Sequence, residues 1–427
     1  MTSVEVDGRT MLYNASEYEY ASIRSDRSGG AAMNGLLRRM VFFPVSILLL
    51  LSSGTARSDN GKIYIGLNAE GGHITSTSDD AIRMGIQIAI EEINRSGGVL
   101  GGRKLELIVR DNRAVPARAA AHYNELAGTK DLVAVFCGKF SSAVIESLPL
   151  IHEQKLVLLD PWAANDKIVE NGYVPNYAFR LSLKDSWAVP AMMGYARKRG
   201  FSKVGLLLVN TSWGRNNHDV LKRYLAANPG IVVADTQWFN YGTNSMTTQY
   251  RSIRKAGANA VVFIGIEPEG AILVREVAAL PPGERLPIVS HWSVAGGDFP
   301  EMTGKALEKT DLAFVQTFDL HHDHSKKTQQ LLAVANRLFS MKTFSEVKSP
   351  CGLAHAYDLT RILAMAIEKA GTTDRRRVRD ALERLDRYEG LVRVYDPPFT
   401  STRHEALSHE NVFMARYDKK GMISPIR

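Results

Sequence analysis

The feature that most constrains the fold is an alternation of strand-like and helix-like segments that runs along the chain twice. From residue 62 to residue 182, short apolar runs alternate with amphipathic helical patterns. The same alternation begins again at residue 183 and continues to residue 317. Such alternation is typical of a parallel sheet covered by helices on both faces. The sequence therefore predicts an α/β protein with two doubly wound lobes.

A glycine-rich segment, with four glycines in residues 97–102, raises the question of a phosphate-binding loop. Such a loop follows a strand and opens a helix, whose free N–H groups then face the anion. Here the order is reversed, because the helical pattern "DDAIRMGIQIAIEEIN" precedes the glycines and the strand-like "KLELIVRD" follows them. The pattern predicts a helix that begins near Asp79 or Asp80 and stops at the glycines. The segment is interpreted as a connection between a helix and a strand, not as a nucleotide-binding site.

The first 57 residues have the features of a leader. Arg38 and Arg39 precede an apolar run at 40–51, and small residues follow it. Twelve apolar residues are too few to span a bilayer, so the run is typical of a cleaved secretory signal peptide. The polar residues before Met33 show no hydrophobic periodicity, which favours Met33 as the true start. No cysteine stands directly after the apolar run, since the first cysteine of the sequence is Cys137. We therefore expect a free periplasmic protein without a lipid anchor.

Charge and cysteine content exclude some function classes. The formal net charge is +8, but the basic residues are spread along the chain and no nucleic-acid-binding motif occurs. The basic run at 374–387 has acidic residues at helical spacing, which indicates a solvated helix face. The two cysteines, Cys137 and Cys351, are free to form one disulfide or to remain buried thiols.

Candidate ligand-binding residues follow from the predicted sheets, because ligands of such sheets bind at the carboxyl ends of the strands. In the first lobe, "CGKFSSA" places Ser141 and Ser142 after a glycine turn, at the start of a helical pattern. This arrangement is typical of an anion-binding site at a helix N-terminus (an anion seat), although either serine could simply cap the helix. Trp162 lies in a loop of small residues, where it either faces a ligand or packs on the edge of the core.

The corresponding loops of the second lobe carry Trp213 and Trp292. Three of the five tryptophans thus lie on predicted cleft loops, which favours an aromatic-lined pocket. Glu267 and Glu269 open a predicted helix, where they either meet a ligand cation or interact with the helix dipole.

Catalytic and metal-binding patterns are weak. The sequence contains no G-x-S-x-G, H-E-x-x-H or paired C-x-x-C motif. "HHDH" at 321–324 has ligand residue types without the fixed spacing of a metal site. We expect no enzymatic activity, no cofactor and no bound metal.

Four segments carry a resemblance to a known family: "GIQIAIEEINRSGGVLGGRKLELIVRDN", "CGKFSSAV", "YAFRLSLKDS" and "GRNNHDVLKRYL". They resemble the Leu/Ile/Val-binding proteins, which are solute-binding subunits of ABC transporters with the periplasmic-binding-protein type I fold. The resemblance implies two Rossmann-like lobes joined by three crossovers. Lobe one would comprise 60–182 plus 318–394, and lobe two would comprise 183–317 plus 395–427. The lobes of such a monomer close on a ligand, and a membrane permease recognises the closed form.

The resemblance also implies a set of ligand-binding residues. The family's carboxylate-binding serine matches Ser142, and its ammonium-binding acidic residue aligns with Trp292, so the carboxylate half of the site is retained and the ammonium half is lost. Burying an unpaired ammonium costs several kcal/mol, about 3 or more. Unless Glu267, Glu269 or Asp160 substitutes, this cost favours a small organic acid with an apolar or aromatic body. The full predicted set is Ser78, Phe140, Ser141, Ser142, Trp162, Ala163, Ala164, Trp213, Ile266, Glu267 and Trp292.

Three function classes are compatible with these features. The first is a binding protein that delivers a small carboxylate, either an amino acid or an organic acid, to an ABC permease. The second is a ligand sensor of the same fold that reports to a regulator, which neighbouring permease and ATPase genes would argue against. The third is an exported α/β enzyme, for which no catalytic constellation is found in the sequence.

Overall fold

The computed structural model describes residues 2–6, 9–13, 61–73 and 75–426. Strands β1 (Thr2–Val6) and β2 (Arg9–Tyr13) form an antiparallel hairpin, a pairing that the sequence patterns did not predict. The predicted signal-peptide core and the proposed start at Met33 lie outside the described residues. Among the described helices, none is long and apolar enough to cross a membrane.

The first sheet is five-stranded and parallel, in the order β4-β3-β5-β6-β7. Its central strands are buried on both faces, as their continuous apolar runs predict. The elements of this part of the chain are β3 (Ile63–Ala69), α1 (Thr77–Arg95), β4 (Leu105–Asp111), α2 (Pro116–Ala127), β5 (Leu132–Cys137), α3 (Ser141–Glu153), β6 (Val157–Asp160) and β7 (Ala178–Arg180).

The second sheet is seven-stranded, in the order β16-β15-β12-β11-β10-β8-β9, and its strands from β8 to β12 are parallel. Helices α4 and α5 pack on each other, and α6 and α7 follow β9 and β10. The elements of this part are α4 (Asp185–Lys198), β8 (Lys203–Val209), α5 (Ser212–Ala227), β9 (Val232–Phe239), α6 (Thr247–Lys255), β10 (Ala260–Ile264), α7 (Glu267–Ala279), β11 (Ile288–Ser290), α8 (Phe299–Thr303) and β12 (Leu312–Gln316).

After β12 the chain packs again on elements of the first sheet. Its elements there are α9 (Lys326–Phe339), α10 (Pro350–Ala370), α11 (Arg375–Leu382) and the short pair β13 (Tyr388–Glu389) and β14 (Val394–Tyr395). Helix α10 packs against α1, and α11 packs against β5 and β6. It then enters the second sheet as β15 (Phe413–Tyr417) and β16 (Ile423–Pro425), with β15 antiparallel to β12. The predicted α/β architecture with two doubly wound lobes is confirmed.

Between β14 and β15 the chain does not yet belong to the second lobe. Backbone groups of His404 and Ala406 hydrogen-bond to Arg180 of β7, at 2.8 Å each. Phe399 packs edge-on against Phe179, with ring centroids 5.1 Å apart. This segment also supplies the carboxylate of Glu405, which pairs with buried Arg180.

One helix start and one N-cap residue differ from the predictions. Helix α1 begins at Thr77 with Ser76 as its N-cap, ahead of the expected Asp79 or Asp80. Helix α3 begins at Ser141 as expected, but its N-cap is Phe140, so neither serine serves as the cap. The short polar side chains are instead free for contacts outside their own helix turn.

Candidate ligand-binding site between the lobes

A small cavity lies where the loops that follow β5, β6, β8, β9, β10 and β11 meet. These loops come from the carboxyl ends of both sheets, the position where doubly wound folds bind ligands. The space left between the side chains is about 10 Å³, room for about one water molecule. A ligand therefore requires the walls to move apart. The wall consists of Lys139, Phe140, Ser141, Ser142, Trp162, Ala164, Thr211, Trp213, Tyr241, Ile266, Trp292 and Ser293.

Eight of the eleven predicted site residues line this cavity. They are Phe140, Ser141, Ser142, Trp162, Ala164, Trp213, Ile266 and Trp292. The remaining three, Ser78, Ala163 and Glu267, are buried close by without forming its wall. Ala163 is turned away because its N–H donates to Asp160 at 2.7 Å and its carbonyl accepts from Arg180 at 3.2 Å.

The predicted anion seat is the turn between β5 and α3. Because Phe140 is the N-cap, the N–H groups of Ser141 and Ser142 belong to the first turn, ahead of the first helical hydrogen bonds. Such groups and the positive end of the helix dipole favour an anion. Gly138 is required in this turn, because a Cβ there would lie 2.7 Å from a carboxylate oxygen of Asp79.

Asp79 fixes this turn from the first turn of α1. Its carboxylate accepts the backbone N–H of Lys139 at 2.7 Å and that of Glu70 at 2.8 Å. Burial raises the pKa of the Asp79 carboxyl to about 7, although the Lys139 ammonium and the two N–H groups oppose the shift. One buried carboxylate thus joins two cleft loops of the first lobe.

Trp162 and Trp292 stack on each other across the cavity, one from each lobe. Their ring centroids are 4.4 Å apart and the ring planes differ by 22°. Trp213, also on the wall, donates its indole N–H to Asp185 at 3.0 Å and meets His291 edge-on. The three tryptophans predicted to line the cleft are therefore brought together.

Asp160 positions the Trp162 loop. Its carboxylate accepts the N–H groups of Trp162 at 3.0 Å and Ala163 at 2.7 Å. Burial raises the pKa of the Asp160 carboxyl to about 7, while Arg180, 3.9 Å away, opposes the shift. Asp160 is fully buried and directed at the protein backbone, so it is not placed to bind a ligand ammonium.

Lys139 is a site residue that the sequence analysis missed. Lys139 lines the cavity, its ammonium lies 3.4 Å from an oxygen of Glu267, and its side chain is 3% exposed. It also donates to the Thr75 carbonyl and lies 5.2 Å from the centre of the Phe140 ring. Glu267 further accepts from Ser78 at 3.3 Å. The pair of Lys139 and Glu267 joins the two lobes. The motif "CGKFSSA" contains the lysine, but Glu267 is distant from it in the sequence.

Tyr241 was also missed. It lies in the loop after the carboxyl end of β9, from which the sequence analysis named no candidate residue. Its ring meets Phe140 edge-on, with centroids 6.0 Å apart. The rule that identified the other loops would have identified this one. Burial raises the pKa of the Tyr241 hydroxyl, which therefore stays protonated and able to donate a hydrogen bond.

Glu269 lies behind this wall. It accepts the N–H of Gly242 at 2.9 Å, and burial raises the pKa of its carboxyl above the ordinary range. Within the described part of the chain, its second oxygen has no hydrogen-bond partner. Glu269 is thus the acidic group near the site whose hydrogen-bonding capacity is least used.

The cysteines and the candidate metal-ligating residues do not line the cavity. Cys137 and Cys351 are both free and buried, Cys137 beside Asp160 and Cys351 beside Gln316. Within residues 61–73 and 75–426, no group of three or more His, Cys, Asp or Glu side chains could hold a metal ion. In the "HHDH" segment, His321 accepts the N–H of Ile423 at 3.3 Å.

Two doubly wound lobes with a polar and aromatic cavity between their strand ends define a two-lobed solute-binding protein. The chain belongs to the periplasmic binding protein family, whose profile matches residues 62–422. The predicted resemblance to the Leu/Ile/Val-binding proteins and the predicted type I fold are confirmed. Membership in this family implies a periplasmic location.

Three proteins illustrate what this chain is similar to. The Leu-, Ile-, Val-, Thr- and Ala-binding protein of Pseudomonas aeruginosa is 26% identical over 71% of this chain and 77% of its own. A type 1 periplasmic binding protein of Bordetella pertussis superposes with a TM-score of 0.77 at 22% identity, covering 86% of this chain and 100% of its own. A solute-binding protein of R. palustris in complex with 4-hydroxybenzoate has a TM-score of 0.72 at 18% identity, covering 86% and 96%.

Proposed function

We propose that this protein captures a small organic carboxylate with a planar, apolar body between its lobes and delivers it to an ABC permease. The observation that carries the proposal is the composition of the cavity wall. A helix N-terminus with two serines lies beside three tryptophans drawn from both lobes. No carboxylate side chain of the described residues lies on that wall.

The ligand carboxylate is assigned to the first turn of α3. Two backbone N–H groups and the hydroxyl of Ser142 are available there for an anion. The Ser141 hydroxyl is turned partly inward, since it lies 3.4 Å from the backbone nitrogen of Asn165. Ser142 is therefore the serine whose hydroxyl is assigned to the ligand.

The apolar body of the ligand is assigned to the space between Trp162 and Trp292. The two rings now contact each other, with centroids 4.4 Å apart. Contact distances between carbon atoms are about 3.5 to 4 Å, so a flat ring inserted between them would separate the faces by about 7 to 8 Å. Because one tryptophan comes from each lobe, lobe opening supplies this separation and closure would sandwich the ring.

An α-ammonium finds no available anion near this site. Asp160 is bound to backbone N–H groups, and Glu267 is bound to Lys139 and Ser78. Glu269 lies behind the wall, where its carboxyl accepts the N–H of Gly242. An amino-acid ligand would have to displace one of these contacts, which costs more than binding the same ligand without its ammonium.

An amino-acid ligand is nevertheless the second candidate, because the relative from Pseudomonas aeruginosa is described as binding Leu, Ile, Val, Thr and Ala. The two candidates differ in a single group on the ligand. A matched pair of compounds therefore separates them: phenylalanine, and phenylpropionate, which is phenylalanine without its ammonium.

The test is a thermal-shift screen of residues 58–427, after partial unfolding and dialysis to remove any ligand carried through purification. The panel contains leucine, valine, phenylalanine, phenylpropionate, phenylacetate and benzoate. A ligand at a thousand times its dissociation constant adds about 4 kcal/mol to the free energy of unfolding, which shifts the melting temperature by several degrees. We expect acids without an ammonium to give the larger shift. Stabilisation by phenylalanine or leucine alone would contradict the proposal and implicate Glu267 or Glu269 in ammonium binding.

The delivery step is tested separately. A transport role predicts that genes for a permease and an ATPase lie beside this gene, and that loss of any of the three abolishes uptake of the same acid. A protein that binds the acid without affecting its uptake would instead be a sensor of the same fold.

A further inference from the structure

The cavity wall carries one charge. Among the described residues that line it, Lys139 is the only one with a formally charged side chain. The side chain of Lys139 is 3% exposed, a location where an unpaired charge is strongly disfavoured. The charge is therefore held there by specific contacts, and they determine what else the cavity can accept.

The contacts of Lys139 come from both lobes. Within lobe one, its ammonium donates to the Thr75 carbonyl and lies 5.2 Å from the centre of the Phe140 ring. From lobe two it receives one carboxylate, that of Glu267, at 3.4 Å. This distance exceeds the 2.7–2.9 Å, approximately, of a strong charge-assisted hydrogen bond. Glu267 also accepts from Ser78 at 3.3 Å, so it is shared.

Separation of the lobes removes this counter-charge from Lys139. The lysine would remain on lobe one, directly before the turn that contains Ser141 and Ser142. An ammonium, two free backbone N–H groups and a serine hydroxyl would then converge on one exposed seat. Together they form a stronger anion site than the helix end alone.

We propose that Lys139 determines the charge specificity of the cavity, by pairing with the carboxylate of a monoanionic ligand, and that Glu267 is its counter-ion between the closed lobes. This inference rests on the proposed function and specifies which ligand charge the cavity selects. With the ligand bound, Lys139 lies between two carboxylates, and the charges of the three groups sum to minus one. A ligand ammonium would be repelled by Lys139, and a neutral amide would leave the lysine without its second partner.

The experiment compares acids with their amides, which have nearly the same shape and no charge. Affinities for benzoate and benzamide, and for phenylacetate and phenylacetamide, are measured by calorimetric titration at fixed ionic strength. In Lys139→Met, the preference for acid over amide should fall by about 10- to 100-fold through weaker acid binding, with amide affinity nearly unchanged. A structural role of Lys139 would instead lower the affinity for acid and amide alike.

Two variants serve as controls. Lys139→Met leaves Glu267 buried without its cation. The double variant Lys139→Met/Glu267→Gln removes both charges and therefore tests the loss of acid preference without an unpaired carboxylate. It should show the same reduced preference for acids. Lys198→Met removes an exposed lysine at the end of α4 and should keep the wild-type preference.

A second readout needs no knowledge of the ligand. Iodide and neutral acrylamide both quench tryptophan fluorescence, and three of the five tryptophans lie on the cavity wall. Quenching by iodide should weaken in Lys139→Met, while quenching by acrylamide should not. If none of the acids or amides binds but iodide quenching depends on Lys139, the anion seat stands and the proposed ligand class fails. If acids bind and the acid preference survives in both Lys139 variants, the proposed function stands and this inference is overturned.

Discussion

At the scale of single residues, several buried carboxylates of this protein stabilise loops by accepting backbone N–H groups. Asp79 is the clearest case, because it joins the loops after β3 and β5 beside the cavity. Its N–H donors favour the carboxylate, whereas burial favours the neutral acid, and burial is the larger effect. The protonation of this one group is therefore linked to folding near neutral pH.

Replacing Asp79 by asparagine should flatten the pH dependence of stability. The pKa of the Asp79 carboxyl is about 7 in the folded protein and 3.8 as its reference value. Because the folded value is the higher one, the contribution is fully present below about pH 4 and is lost as the pH rises towards 7. The wild type should lose up to about 1 kcal/mol per pH unit relative to Asp79→Asn in this window. Urea denaturation at several pH values measures the difference.

The matched control for this prediction is Asp386→Asn, since the Asp386 side chain is 92% exposed and paired with Lys369 on the surface. Its curve of stability against pH should run parallel to that of the wild type. Parallel curves for Asp79→Asn as well would show that Asp79 titrates in the folded protein as it does in the unfolded chain.

At the scale of elements, the order of strands and helices could be predicted from the sequence because buried parallel strands are continuous apolar runs. "LVAVF" and "AVVFIG" have this form, and both became central strands. Helix starts were less accurate: the N-cap position of α1 is Ser76, which makes no side-chain capping hydrogen bond, and not Asp79 or Asp80. A serine and two aspartates so close together all fit the N-cap preference, and the choice depends on tertiary contacts such as those of Asp79.

Those residues of the candidate site were predicted that lie in loops after the carboxyl ends of predicted strands. Ser142, Trp162 and Trp292 were found because their loops follow strands in the sequence. Lys139 was missed although it lies inside an inspected motif, because its role depends on Glu267, which is 128 residues away. Local patterns contain no information on which loops of two lobes meet.

The contact between α1 and α10 depends on a glycine. A Cβ at Gly85 would collide with the backbone carbonyl of Leu353, so the two helices approach closely only without a side chain there. This contact joins the first helix of lobe one to a helix that returns from lobe two. It therefore holds together parts of one lobe that are distant in the sequence.

Gly85→Ala should lower the free energy of unfolding by about 1 to 3 kcal/mol, because the helices must move apart. Gly194→Ala is the control: Gly194 lies in α4, and a Cβ there would meet nothing within 4 Å. That substitution should instead stabilise the protein by about 0.5 to 1 kcal/mol, from helix propensity. Urea denaturation followed by circular dichroism measures both variants. A stabilised Gly85→Ala protein would show that the helix contact tolerates a methyl group.

At the scale of the whole molecule, contacts between the lobes are distinct from contacts that hold the returning chain to lobe one. The Trp162–Trp292 stack and the Lys139–Glu267 pair lie at the cavity and must break when the lobes part. The contact of Arg180 with Glu405 instead lies where the segment between β14 and β15 packs on β7 of lobe one. Arg180 donates to both oxygens of Glu405, at 2.9 and 2.7 Å, and to the carbonyls of Ala163 and Asn165.

Loss of Arg180 should therefore destabilise the protein far more than loss of an exposed arginine. Arg180 is fully buried, and Arg180→Met would leave the carboxylate of Glu405 unpaired, at a cost of about 3 to 5 kcal/mol in the free energy of unfolding. The double variant Arg180→Met/Glu405→Gln should recover a large part of this loss, since no buried charge remains at either position. Arg199→Met is the control, because Arg199 and Asp311 form an exposed pair 2.7 Å apart whose removal should cost at most about 1 kcal/mol. Equilibrium urea denaturation compares all three proteins with the wild type. Equal losses in Arg180→Met and Arg199→Met would show that the segment between β14 and β15 is held to lobe one by its apolar contacts instead of by this ion pair.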